Sequence, residues 1–198
     1  MILWGQPHGK IGRRRFTRPH RRFFRCRFNT LQGRDIKMFK PVLATLGYIL
    51  SPDSSQVLMI HRNKRPDDLH FGKYNGLGGR LEVDEDIVSG MRREILEESG
   101  LIADHTILRG TISWPGFGKN GEDWFGFIFR IESWHGEVHQ GNHEGTLEWV
   151  PLDAIYTLSL WPSDRHFLPM VFDDDPRLFH GYMPYLNGEM VSWSYQRV

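Results

Sequence analysis

Residues 74–101 read YNGLGGRLEVDEDIVSGMRREILEESGL, and this stretch decides the fold. Its second half has the periodicity of an amphipathic helix over about 85–99, with Asp84 as the expected cap and Gly100 as the stop. Val88, Met91 and Ile95 recur at i, i+3 and i+7, and Ile87 falls four residues before Met91, so one apolar stripe should face a core. The other face carries Glu94, Glu97 and Glu98 at i, i+3 and i+4. Like charges so placed repel by roughly 0.2–0.5 kcal/mol per pair on an exposed helix. A solvated acidic face is the plainer account of such a cluster. A cation would turn the repulsion into binding, and hard oxygen donors with open water positions suit Mg²⁺ or Mn²⁺. Ahead of the helix, Gly76, Gly78 and Gly79 let the backbone approach a metal or a phosphate closely. Carboxylates, a divalent ion and close backbone approach equip a site for attack by water on phosphorus.

Outward from this stretch, the chain of 198 residues is long enough to bury a sizeable core without disulfides or structural metals. Short apolar runs predict strands at 42–50, 57–62, 107–114, 124–132 and 147–151, with hairpin-like loops at 51–55 and 115–121. A second helix is expected at about 163–172, where Pro162 suits its first turn. Asn187-Gly188, flanked by the apolar runs 182–186 and 190–195, has the composition of a two-residue hairpin turn. Mixed strands with a helix on each side predict an α/β sandwich. No apolar run approaches the roughly 18–20 residues of a membrane span, so an integral membrane protein is not expected. The single cysteine, Cys26, excludes an intramolecular disulfide and a Cys-based zinc site, and it fits a reducing cytoplasm.

The net charge of +1 conceals two segments of opposite sign. Residues 1–37 hold 11 Lys/Arg and one acid, Asp35, whereas residues 38–198 hold 14 Lys/Arg and 23 Asp/Glu. The leader interleaves its arginines with Phe16, Phe23, Phe24 and Phe28. Such a composition fits an arm for nucleic acid, through phosphate neutralisation and base stacking. It also resembles a targeting presequence, although residues 13–28 contain no Ser. The plain expectation is a disordered tail, or sequence upstream of a domain that begins near Met38.

The fixed positions of the central stretch complete a known pattern. Gly79, five residues, Glu85, seven residues and then Arg93-Glu94-Ile95-Leu96-Glu97-Glu98-Ser99-Gly100-Leu101 resemble the Nudix box at every position. The resemblance implies a Nudix α/β/α sandwich with a mixed sheet, and metal-dependent hydrolysis of a nucleoside diphosphate linked to another group. It implies that Glu94, Glu97 and Glu98 hold the metal with the Gly78 carbonyl, that Glu94 is a candidate base for water, and that Arg93 pairs with Glu85, about two turns away, to position loop and helix. Lys73–Arg80, Trp161-Pro162-Ser163-Asp164 and the tail from Phe179 to Val198 resemble the MutT-like branch that hydrolyses oxidised purine nucleoside triphosphates such as 8-oxo-dGTP. Carried over by that resemblance, Asn75 bonds the purine edge, Trp161 stacks on the base, Asp164 binds it from the other side, and Glu144 is a further acidic ligand or base. The branch usually has a second Asp where this chain has Ser163. Rival substrates are ADP-ribose-type conjugates and the 5′-triphosphate end of RNA. A different class would be a catalytically silent binding module recruited to nucleic acid by the leader, against which the intact box argues.

Three lesser features have plain explanations. His135, His139 and His143 recur every four residues, but Gly136, Gly141 and Gly145 make a helix there improbable, so a loop is expected. Asp173-Asp174-Asp175 before Pro176 reads as a solvated helix end and turn. Trp114, Trp134, Trp149 and Trp193 are expected in core or hairpin packing, while Trp124 is left open as a lining residue of the cleft.

Overall fold

The computed structural model describes residues 38–198, so the expectations for the basic leader lie outside the described residues. The strands are β1 (Val42–Leu50), β2 (Gln56–His61), β3 (Tyr74–Asn75), β4 (Ile102–Trp114) and β5 (Trp124–His135). They continue with β6 (Thr146–Pro151), β7 (Phe179–Tyr182), β8 (Tyr185–Leu186), β9 (Glu189–Met190) and β10 (Ser194–Arg197). Helix α1 (Ile87–Ser99) follows β3, and α2 (Asp164–Phe172) follows β6. The main sheet runs β10-β7-β4-β5-β1-β2-β3, with β6 on the second edge of β2. β1 pairs with β5 in parallel over Val42–Ile49, whereas β4 and β5 are antiparallel, so the sheet is mixed.

Alternation along the central strands divides their side chains between two layers. Tyr48, Leu50, Val57, Met59 and Ile128 face the layer of Phe167, Leu168 and Val171 from α2. Ile49, Leu58, Phe129 and Ile131 face the layer of Met91 and Ile95 from α1. The result is the expected α/β/α sandwich. Among the described residues no helix is long and apolar enough to cross a membrane.

The structure moves several expected boundaries. Helix α1 starts two residues late: Asp86, not Asp84, is the cap, accepting from the Val88 and Ser89 N–H groups at 2.8 and 3.0 Å and from the Ser89 hydroxyl at 2.8 Å. Its end is as expected, with Gly100 left-handed at φ 77° and its N–H donating to the Leu96 carbonyl. Asp86→Ala should therefore lower the thermal transition by about 2–4 °C, the effect of losing a helix cap, and Asp84→Ala by less than about 1 °C. Equal effects in a melting experiment would contradict the assignment.

β4 begins at Ile102 rather than near 107, because Ile102–Thr106 pair with the far end of β5 across two register shifts. The Asn187-Gly188 turn forms, both residues having positive φ, but it joins only β8 and β9. Tyr182 belongs to β7, and Ser194–Arg197 pair with β7 instead. The acidic triplet does end α2, yet it is not merely solvated. Asp173 accepts from buried Arg109 of β4 at 2.8 Å and also from Arg197 of β10, so it ties two strands to the helix end.

Candidate active site

The site arises where β1 and β2 part. β2 pairs with β1 only at Val57 and Leu58, then with β3 at Ile60 and His61. The glycine loop enters the fork so formed. Gly47 N–H donates to the Leu77 carbonyl at 2.6 Å and Thr45 N–H to the Gly79 carbonyl at 2.8 Å. The Gly78 carbonyl between them takes no hydrogen bond from the described residues. Gly78 has φ 145°, and a Cβ there would stand 2.3 Å from the Thr45 carbonyl oxygen. A Cβ on Gly79 would stand 2.5 Å from Oε1 of Glu94. At Gly78 only glycine permits this approach of loop to strand, while at Gly79 an added Cβ would displace the Glu94 carboxylate.

Four carboxylates and one arginine join the loop to α1. Arg93 donates through Nε and Nη2 to the two oxygens of Glu85 at 3.0 and 2.7 Å, through Nη1 to Glu94 at 2.9 Å and Glu97 at 3.2 Å, and through Nη2 to the Arg80 carbonyl at 3.2 Å. Because the helix starts after Asp86, Glu85 lies ahead of it, and the pair is not the two-turn contact within one helix that the sequence suggests. The Arg93 guanidinium, with the Glu82 N–H, holds the Glu85 carboxyl below the usual carboxylate range. Glu98 accepts from the Gly78 N–H at 2.8 Å. Burial pushes its carboxyl up to about 8; the Gly78 N–H opposes this, and Glu144 and Glu94 add to it. Burial also raises Glu94, against the pull of Arg93. Glu97 is exposed. These carboxylates are not drawn onto one point, and among the described residues no three His, Cys, Asp or Glu side chains gather in a metal-holding group. Glu144 stands on the loop before β6, ion-paired to Arg62, which also binds Asp68.

A cleft of about 670 Å³ opens from this loop. Gly78, Gly79 and Glu98 line it, and so do Asn75, Trp161, Ser163 and Asp164. Asn75 stands on β3 with its Oδ1 buried and without a hydrogen-bond partner. Trp161 donates its indole N–H to His70 Nδ1 at 2.9 Å. Asp164 opens α2, and burial pushes its carboxyl up to about 7, against the influence of Ser163 and Lys73. Trp124 lines the cleft, with the Arg80 guanidinium 5.1 Å from its ring centre. Trp114, expected only in packing, lines it too, while Trp134 stacks on Trp149 beneath α1. His139 and His143 lie in irregular chain as expected, whereas His135 does not: it ends β5, paired with Ile102 of β4. Sequence reasoning missed His70 and Arg62, because no periodicity links them to the box: β2–β3 pairing brings their loop to the cleft.

A profile of the NUDIX domain matches residues 40–171. The chain belongs to the Nudix family. The oxidized purine nucleoside triphosphate hydrolase of Mus musculus is 31% identical over 157 residues, covering 79% of this chain and 95% of that protein. The protein of the same name from Danio rerio is 29% identical over 154 residues, covering 78% and 93%. The crystal structure of the mutator MutT protein from Bacillus halodurans matches with a TM-score of 0.67 at 25% identity, over 78% of this chain and 97% of that one. The protein is thus a MutT-like Nudix hydrolase, and its mixed sheet between two helices is the fold it shares with the Bacillus halodurans structure.

Proposed function

We propose that this Nudix hydrolase cleaves purine nucleoside triphosphates, oxidised ones such as 8-oxo-dGTP among them, to the monophosphate and pyrophosphate in a Mg²⁺- or Mn²⁺-dependent reaction in the cytoplasm. The observation that supports this reading most is that one cleft is lined by Asn75, Trp161 and Asp164 together with the glycine loop and Glu98. One nucleotide can then present its base to the first set and its phosphates to the second.

The residues fit a hard divalent cation. The donor set is all oxygen, the Gly78 carbonyl is unclaimed, and Glu98 is a half-buried carboxyl whose ionisation is supported by the Gly78 N–H and the nearby Arg62 against burial, Glu144 and Glu94. Glu94, Glu97 and Glu98 would hold the ion with the Gly78 carbonyl, and Glu144 stands by as a further ligand. Bound there, the ion supplies charge screening for the phosphates and a more acidic water. The chain's own residues do the rest. Arg93 fixes the rotamers of Glu94 and Glu85 and so locks loop to helix. Glu94 accepts the proton of the attacking water, whose oxygen joins phosphorus as the bridging α–β anhydride bond breaks. Trp161, Asn75 and Asp164 hold the base, so the anhydride has one register against the glycine loop.

Product analysis after incubation with Mg²⁺ and 8-oxo-dGTP tests this reading. The expected products are 8-oxo-dGMP and pyrophosphate in equal amounts. Release of orthophosphate instead would contradict it.

A further inference from the structure

The loop between β2 and β3 brings to the cleft a histidine that lies outside the box and outside the base-reading set. We propose that His70 is a positioning residue for base recognition: its Nδ1 orients the Trp161 indole and turns the Asn75 amide so that the amide oxygen accepts from an N–H donor on the purine edge. The inference rests on the purine reading above and deepens it.

An indole N–H only donates, so its 2.9 Å contact makes Nδ1 of His70 an acceptor and leaves the imidazole proton on Nε2. The Asn75 amide nitrogen stands 3.4 Å from the same Nδ1. Facing an acceptor, the amide must present its NH₂ there and turn its oxygen away. That oxygen is the buried Oδ1 without a partner. A buried acceptor left unmet is costly, and a ligand N–H removes the cost. The Trp161 ring is held from two sides: His70 meets it edge to face at 5.4 Å between centroids, and Lys73 Nζ lies 5.5 Å from its ring centre.

His70 is itself fixed. Its backbone N–H donates to Asp68 Oδ1 at 3.0 Å, Asp68 is paired with Arg62, and the Lys73 N–H donates to the His70 carbonyl at 2.9 Å. Burial and the nearby Arg62 hold the imidazole below the ordinary histidine range, against Asp68 and Glu144, which keeps the Nδ1 lone pair available.

The test compares wild type, His70→Phe, His70→Asn and Trp161→Ala on 8-oxo-dGTP and on dCTP, with thermal transitions recorded. His70→Phe should raise KM for 8-oxo-dGTP about tenfold with kcat kept within about twofold, the scale of one lost hydrogen bond, and lower kcat/KM for dCTP, which has no purine edge to read, by a smaller factor. His70→Asn puts an acceptor near the Nδ1 position and should stay within about threefold of the wild-type KM. A wild-type KM in His70→Phe overturns the proposal, and so does a loss in His70→Asn equal to that in His70→Phe, or a fall in kcat at constant KM. His70→Leu replaces the Phe variant if that protein does not fold. Trp161→Ala separates the two levels of inference. A raised KM there beside an unchanged His70→Phe removes the role of His70 alone. An unchanged KM in Trp161→Ala, or no turnover of 8-oxo-dGTP by wild type, removes the base reading and this proposal with it.

Discussion

Replacing Glu98 by Gln should lower kcat by at least ~10²-fold while leaving the metal-free protein at least as stable. Of the three box glutamates on α1, Glu98 is the one that hydrogen-bonds the glycine loop, accepting from the Gly78 N–H. Its amide would keep the shape but not the charge that a divalent ion needs. KM should change less, because in the proposed reading Asn75 and Asp164 hold a distant part of the substrate. The stability expectation has a definite sign. The Glu98 carboxyl is pushed from 4.5 to about 8 in the folded chain, so folding favours the protonated form. Its contribution is full below about 4.5 and is lost as pH rises toward 8. Without metal, the melting temperature of wild type should therefore fall across that window more steeply than that of Glu98→Gln. Near-wild-type kcat in a folded Glu98→Gln protein would remove Glu98 from the machinery.

Asp164→Asn should cost roughly 1–3 kcal/mol in kcat/KM for the preferred purine triphosphate, the scale of an unpaired buried polar group. It should affect any turnover of ADP-ribose much less. Asp164 lies in the cleft with its carboxyl pushed from 3.8 to about 7, so near neutrality it can serve as donor or as acceptor. The pH profile of kcat/KM in wild type should carry an inflection near 7 that the Asn variant lacks. Stability follows the same group: its contribution is full below about 3.8 and is lost as pH rises through about 7. Ser163, buried with its hydroxyl 3.4 Å from Asp164, brings no second charge to share protons with. Tolerance for different oxidised bases should thus be narrow, and Ser163→Asp should widen it. An unchanged purine preference in Asp164→Asn, or no widening in Ser163→Asp, would remove this segment from base recognition.

What the sequence discloses here is set by how local each determinant is. β1 is legible to both ends, since its apolar run is bounded by Pro41 and by the Ser51–Ser55 turn. The end of α1 is legible because Gly100 has a local conformational reason to stop a helix. Its start is not, because Asp84 and Asp86 are equally good caps in isolation. The choice falls to Asp86 once Arg93, eight residues on, holds Glu85 outside the helix. The box residues are legible through their spacing, whereas Arg109, His70 and Arg62 act through partners far along the chain. Arg109 meets Asp173, His70 meets Trp161 and Arg62 meets Glu144. Such contacts follow from strand order, which no local pattern encodes.

The central claim is that one cleft reads an oxidised purine and presents its triphosphate to the box. It is tested most directly by the ratio of kcat/KM for 8-oxo-dGTP to that for dGTP, measured with Mg²⁺ under one set of conditions. The account predicts a ratio of at least about tenfold in favour of the oxidised nucleotide, the worth of one hydrogen bond that only the altered purine edge can make. Equal rates on the two triphosphates would contradict it.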